Sequence, residues 1–262
     1  LPILNNQGQF LQLCDGKPTT IVSKLDGRTV DCPNMFHCYE IGKALAIAHE
    51  DARDFPDSQI NTRSLKWWKQ TSPKILRFLS SDQQNFLFKE LNEQDFFYNT
   101  SIYKSLPKAV IHADLFRDNA LFIENDKKIT NKYSQEIENV HLVKEKLGGI
   151  IDFYFAGFDT LLFDLAVVAN DWTVHHEHQD IGTFKKNELD SLLNGYQSIR
   201  ILSSSEIEAW PMILRSAAFR FWVSRLYDWY IPREANLLTP KDPTIYEKIL
   251  FKRKLEMREK PC

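Results

Sequence analysis

Glycine is scarce in this chain, nine residues in 262, about half the usual share. At positions 8, 16, 27, 42, 148, 149, 157, 182 and 195 they fit neither a Gly-x-Gly-x-x-Gly nor a Walker A spacing, so neither phosphate-cradling loop lies within the residues present. Cysteines number only four. Cys14, Cys32, Cys38 and Cys262 form no Cys-x-x-Cys pair and no metal-ligand spacing, so they read as thiols of a reducing compartment, and a cytoplasmic location is expected. A basic excess is also missing. The 33 Lys and Arg against 35 Asp and Glu leave a net charge of -2, which argues against nucleic acid as a partner, because neutralising phosphates needs surplus cations. Long apolar runs are absent too. The most apolar stretch, 150–170, is interrupted by Asp152, Asp159 and Asp164, each expensive in lipid, so no membrane association is expected. No secretory signal pattern opens the chain, and it starts at Leu1 with Leu-Pro-Ile-Leu, from which an upstream part is expected.

What is there suits an ordinary globular protein, with 43% hydrophobic and 26% charged residues. A chain of this length buries roughly three quarters of its unfolded surface, so it needs no covalent staples. Gln9 to Leu13 and Thr19 to Leu25 are short β-biased runs around the turn-forming Cys14 to Pro18, which predicts a hairpin. After Pro33, with Asn34 as N-cap, Met35, Cys38, Ile41, Leu45 and Ala48 follow helical spacing. Further helices are predicted over 64–79 and 81–103. The period then becomes strand-like at 109–112, 120–123 and 149–153, with a polar, charged surface excursion over 124–146. Helices return at 161–176, 185–199, 206–230 and 243–259, the third opened by the capping box Ser203-x-x-Glu206. The pattern is α+β, without the strict alternation of a parallel sheet.

The strongest chemical signal is Val110-Ile-His112-Ala-Asp114-Leu-Phe-Arg-Asp-Asn119. A His-x-Asp-x-x-x-x-Asn loop between two apolar strands can aim a carboxylate at an acceptor hydroxyl and, five residues on, an amide oxygen at magnesium. Standing alone, it could be a capped turn. Asp152, at the end of Gly149-Ile-Ile-Asp-Phe153, supplies the second metal-holding carboxylate such chemistry requires, although a lone Asp after a strand more often caps a turn. Asp164, in Phe163-Asp-Leu-Ala166, would be costly if buried unpaired, which predicts hydrogen bonds from backbone N–H groups of the loop.

These residues resemble a known family. The H-A-D-L-F-R-D-N loop, I-D-F-Y-F-A, F-D-L-A, N-D-W, F-R-F-W-V-S-R-L-Y-D and K-D-P stretches, spread from about Gln9 to Arg253, are similar to homoserine kinases of the aminoglycoside phosphotransferase and choline kinase-like type. The resemblance implies a protein kinase-like fold, with residues 1–30 the last strands of an N-terminal lobe and hinge, and 31–262 a mainly helical C-lobe. It implies ATP and Mg²⁺ as cofactors and L-homoserine as the acceptor. Asp114 becomes the catalytic base, His112 the residue that orients the loop, Asn119 and Asp152 the metal and cofactor ligands, and Asp164 a support for the loop. It also implies that the phosphate-covering loop and ATP-binding lysine lie upstream of Leu1. The 124–146 excursion stands as an insertion, and Arg117 takes the place of the family's usual proline. A related kinase of choline, an amino-alcohol or an aminoglycoside is the nearest alternative, and a non-catalytic kinase-like binding protein the next.

A zwitterionic acceptor calls for a cation toward its carboxylate. Arg225, one turn beyond Phe221 on the stripe of Trp210, Leu214, Ala217 and Ala218, is the first candidate, with a structural ion pair as its bland reading; Arg63, before Trp67-Trp68, is the second. Trp172, Trp222 and Trp229 could line a cationic site but are expected in the core. His175-His-Glu-His178 is read as no metal centre, since consecutive helical residues face different ways. His37 and His49 have no partner in the sequence and read as surface or core residues.

Overall fold

The computed structural model of the chain describes residues 2–56, 59–124, 145–232 and 239–258. It starts with two small exposed ribbons: β1 (Pro2–Ile3) pairs with β4 (Ile21–Val22), and between them β2 (Gln12–Cys14) pairs with β3 (Lys17–Thr19). Cys14 faces Lys17, so the turn is only Asp15-Gly16, tighter than the expected Cys14 to Pro18. Both turn residues have positive φ, 50° and 75°, the backbone of a two-residue hairpin that Asp-Gly adopts at low cost.

Helix α1 (Met35–Asp51) is capped at Asn34, whose side chain accepts the His37 N–H at 3.1 Å while His37 Nδ1 accepts the Asn34 N–H at 3.2 Å. Its buried face is His37, Cys38, Ile41, Gly42, Leu45, Ala46 and His49, so Met35 and Ala48, expected on that face, lie exposed. Helix α2 (Leu65–Ile75) follows, then α3 (Ser81–Tyr98) and α4 (Ser101–Ser105). One helix was expected across the last two. It breaks at Thr100, whose hydroxyl accepts the Tyr103 N–H at 3.2 Å and starts a new helix in place of continuing the old one.

Strands β5 (Lys108–Ile111) and β6 (Ala120–Glu124) flank the loop of interest; β7 (Glu145–Ile150) pairs antiparallel with β6, and β8 (Gly157–Thr160) with β5. The strand expected over 149–153 therefore starts earlier and stops at Ile150, because Asp152 turns left-handed (φ 64°) and Phe153–Phe155 form one 3-10 turn. Residues 125–144 of the expected insertion lie outside the described residues.

The helical body then comprises α5 (Leu161–Trp172), α6 (Lys186–Gln197), α7 (Ser204–Tyr230) and α8 (Thr244–Arg258). All twelve residues of α5 are buried; it packs on α7, and α7 packs on α8. Ser203 and Glu206 form the capping box at the head of α7. α1 packs on α6 through glycines. A Cβ at Gly42 would stand 2.2 Å from the Leu192 carbonyl oxygen and one at Gly195 2.1 Å from that of Tyr39, so only glycine allows this backbone approach. The contact sets His49 of α1 against Tyr196 of α6. Trp172 and Trp222 are fully buried core residues, and Trp229 lies at the surface, so the three make no common wall. Among the described residues no helix is long and apolar enough to cross a membrane.

Candidate active site

The loop after β5 is held by α5. Leaving the strand, Ala113 takes a left-handed backbone (φ 64°) that a residue with a Cβ adopts only when its surroundings enforce it. The Asp164 carboxylate does so, accepting the His112 and Ala113 N–H groups at 2.8 Å each, with His49 Nε2 3.2 Å away. Burial would by itself raise the pKa of Asp164; the hydrogen bond and charge of His49 outweigh it, with help from His112, and hold the carboxyl below its ordinary range. Farther along α5, Trp172 Nε1 donates to the Leu115 carbonyl at 3.1 Å, and Asp171 accepts the Arg117 backbone N–H at 2.9 Å and its Nε at 3.1 Å. A proline at position 117 has no hydrogen for the first of these bonds. Arginine thus anchors the loop here by a different device.

His112 ties the loop to the segment after β7. Its Nε2 lies 2.9 Å from the Ile151 carbonyl, and its Nδ1 accepts the Asp114 N–H at 3.3 Å, which fixes the ring as the Nε2–H tautomer. Ile151 in turn donates its N–H to the Asn119 carbonyl at 2.9 Å. Asp152, next in the chain, is thereby set beside the loop. It occupies the N-cap position of the following 3-10 turn, yet its side chain makes no capping bond, which weighs against the bland reading of this carboxylate.

Asp114, Asn119 and Asp152, apart in sequence, line one cleft of about 470 Å³ together with Arg220, Arg225 and Lys241. The Asn119 amide donates Nδ2–H to the Asp114 carbonyl at 2.8 Å, so Oδ1 is the end of the side chain left for a ligand. Burial pushes the pKa of Asp114 up, against the opposing charge of Arg220; Asp152 adds to the rise. Arg220 Nη1 stands 3.2 Å from Asp114 Oδ1. The set of hard oxygens, one amide and one carboxylate, suits Mg²⁺, which takes few protein ligands and fills the rest of its shell with phosphate oxygens and water.

Arg225 is on the cleft, its guanidinium over the Tyr246 ring and its Nη1 donating to the Asp242 carbonyl at 3.2 Å. Arg63 is not among the cleft-lining residues; it lies over Trp67, 4.4 Å from the ring centroid. Sequence reasoning missed Arg220 and His49. Arg220 sits in Phe219-Arg-Phe221 within a buried block of α7, and the sequence signal for it was the cost of any arginine among apolar neighbours. Among the described residues, no three His, Cys, Asp or Glu side chains group to hold a metal. His176 instead contacts the Asp171 carbonyl, its Nε2 2.6 Å away, and burial lowers its pKa.

Comparison with known proteins agrees with this geometry. The model of the phosphotransferase enzyme family matches residues 5–130 and 137–202. A homoserine kinase of Cupriavidus pinatubonensis is 41% identical over 252 residues, covering 96% of this chain and 71% of its own. Another, of Paraburkholderia xenovorans, is 43% identical over 254 residues, covering 96% and 72%. Among solved structures, an amicoumacin kinase superposes with a TM-score of 0.60 at 14% identity, over 99% of this chain and 72% of its own, which establishes the kinase-like α+β fold.

Proposed function

The chain belongs to the homoserine kinases of the phosphotransferase enzyme family, and we propose that it transfers the terminal phosphoryl group of ATP to the side-chain hydroxyl of L-homoserine. The observation that carries this reading is the gathering of Asp114, Asn119 and Asp152 on one cleft. Asp114 accepts the proton of the attacking hydroxyl. Arg220 beside it favours the ionised carboxylate that the task requires, against the burial that disfavours it. Asn119 Oδ1 and the Asp152 carboxylate are the groups that would hold Mg²⁺, which when bound offsets the charge of the nucleotide phosphates. His112 and Asp164 touch neither reactant in this reading; they fix the backbone from which Asp114 and Asp152 project.

A coupled assay of ADP release by the intact protein, with homoserine, threonine, choline and an aminoglycoside as acceptors, tests the assignment. Homoserine is expected to give the highest kcat/KM. Turnover with choline or the aminoglycoside and none with homoserine would replace the acceptor; no acceptor-dependent turnover at all would favour a binding role.

A further inference from the structure

We propose that Arg220 reads the carboxylate of the acceptor and so restricts the cleft to short hydroxy acids whose anionic group lies a few bonds from the reacting hydroxyl. This rests on the phosphotransfer reading above and names what selects its substrate.

Arg220 lines the cleft and is only 2% exposed, with Nη1 3.2 Å from Asp114 Oδ1. A guanidinium carries five N–H donors, and a buried donor without an acceptor is costly. Arg220 Nε is such a donor, buried and without a partner among the described residues. The plane of the group is fixed by aromatic rings, with Cζ 3.7 Å from the Phe221 centroid and 5.2 Å from that of Phe155. Burial lowers its pKa to about 10, so the cation persists at neutral pH.

The other cleft cations are engaged: Lys241 pairs with Asp118 at 2.9 Å, and Arg225 is bound to the Asp242 carbonyl and stacked on Tyr246. Among the described cleft residues, Arg220 is thus the cation with a buried donor still unmatched. In a γ-hydroxy amino acid five bonds separate the hydroxyl oxygen from a carboxylate oxygen, a reach of roughly 6 Å when the zigzag chain is extended at ~1.2 Å of advance per bond. That suits a hydroxyl on Asp114 and a carboxylate on the arginine paired to it. An acceptor with an ammonium in that place meets a guanidinium, and one with nothing there leaves Nε unmatched, so the residue both attracts and rejects.

The test compares homoserine, aminopropanol (homoserine without its carboxylate) and γ-hydroxybutyrate (homoserine without its ammonium). The wild-type protein is expected to prefer homoserine over aminopropanol by at least about 100-fold in kcat/KM, as a site built to hydrogen-bond a group rejects the analogue lacking it. γ-Hydroxybutyrate should compete with homoserine. Arg220→Met should bring the homoserine to aminopropanol ratio to within about 3-fold, mainly through KM for homoserine, with KM for ATP unchanged. A ratio that survives in Arg220→Met while both rates fall together would mean that the arginine acts only on Asp114 and would overturn the proposal. So would a wild-type protein that takes aminopropanol as well as homoserine, a comparison that needs no folded variant. If homoserine gives no turnover, the phosphotransfer reading fails by itself; calorimetric binding of γ-hydroxybutyrate to the wild type, lost in Arg220→Lys, then upholds the carboxylate site, and no binding removes it.

Discussion

Asp114→Asn is expected to lower kcat/KM for homoserine by about 10²–10⁴-fold, the usual contribution of a positioned general base. The melting temperature should move by no more than a few degrees. Asparagine keeps the shape and one acceptor oxygen for Arg220 but has no lone pair basic enough to take the hydroxyl proton. The lost ion pair and the relieved burial of a carboxylate oppose each other in stability. The pH profile carries a second signature. Because the pKa of Asp114 is raised and the ionised form is the working one, the acid limb of kcat/KM should lie above the ordinary aspartate range of about 3.9. Initial rates across pH together with thermal melts check both; equal loss of activity and stability would make Asp114 a structural residue.

The second large effect is on stability. Asp164 is fully buried and accepts two backbone N–H groups and the His49 ring, so Asp164→Ala strands three donors. At about 1–3 kcal/mol for each buried donor left unmatched, the loss is of the order of 3–5 kcal/mol or more, a large share of a typical folding free energy. Asp164→Asn keeps one acceptor oxygen and should lose less, about 1–3 kcal/mol, or several degrees of melting temperature for a chain of this size. Its acid side is informative. A carboxyl whose folded pKa lies below its unfolded value stabilises the fold above the unfolded pKa, near 3.9, and that contribution disappears as pH falls through the folded value. Denaturant melts of wild type and Asp164→Asn should therefore differ most above pH 4 and converge below it, whereas a constant gap would contradict this role.

The Asp164 network extends beyond the loop. His49 Nδ1 lies 2.8 Å from the Tyr196 hydroxyl, Arg200 Nη1 donates to that hydroxyl at 3.3 Å, and Arg200 Nη2 pairs with Glu206, which caps α7. A buried polar chain thus joins the head of α7, α6 and the end of α1 to the loop before Asp114.

Much of this is local chemistry that a sequence displays. Asn34 and Ser203 announce helix starts because a cap needs only itself and the residue three positions on. The loop from His112 to Asn119 stands out because its polar groups are packed into eight residues between apolar strands. Arg220 and His49 do not stand out, for a physical reason. From Ile213 to Val223 every residue of α7 is buried, so the helix has no solvent face against which periodicity could orient an arginine. His49 finds its partners 115 and 147 residues away, a pairing created by the glycine contact between α1 and α6 and by nothing near it in the chain. β8 was not anticipated either. It is four residues long, begins with glycine, and contains Asp159, whose buried carboxylate accepts from Asn61 Nδ2 at 2.8 Å, the Thr160 N–H at 2.8 Å and the Tyr103 hydroxyl at 3.3 Å.

Phosphorus NMR of ATP incubated with Mg²⁺, homoserine and the intact protein addresses the central claim most directly. The account predicts a new phosphomonoester resonance split by the two hydrogens of one adjacent CH₂, growing in step with ADP and at least about 100-fold more slowly when Asp114→Asn replaces the wild type. Release of inorganic phosphate alone, or a phosphoryl group attached anywhere other than the side-chain oxygen, would contradict it.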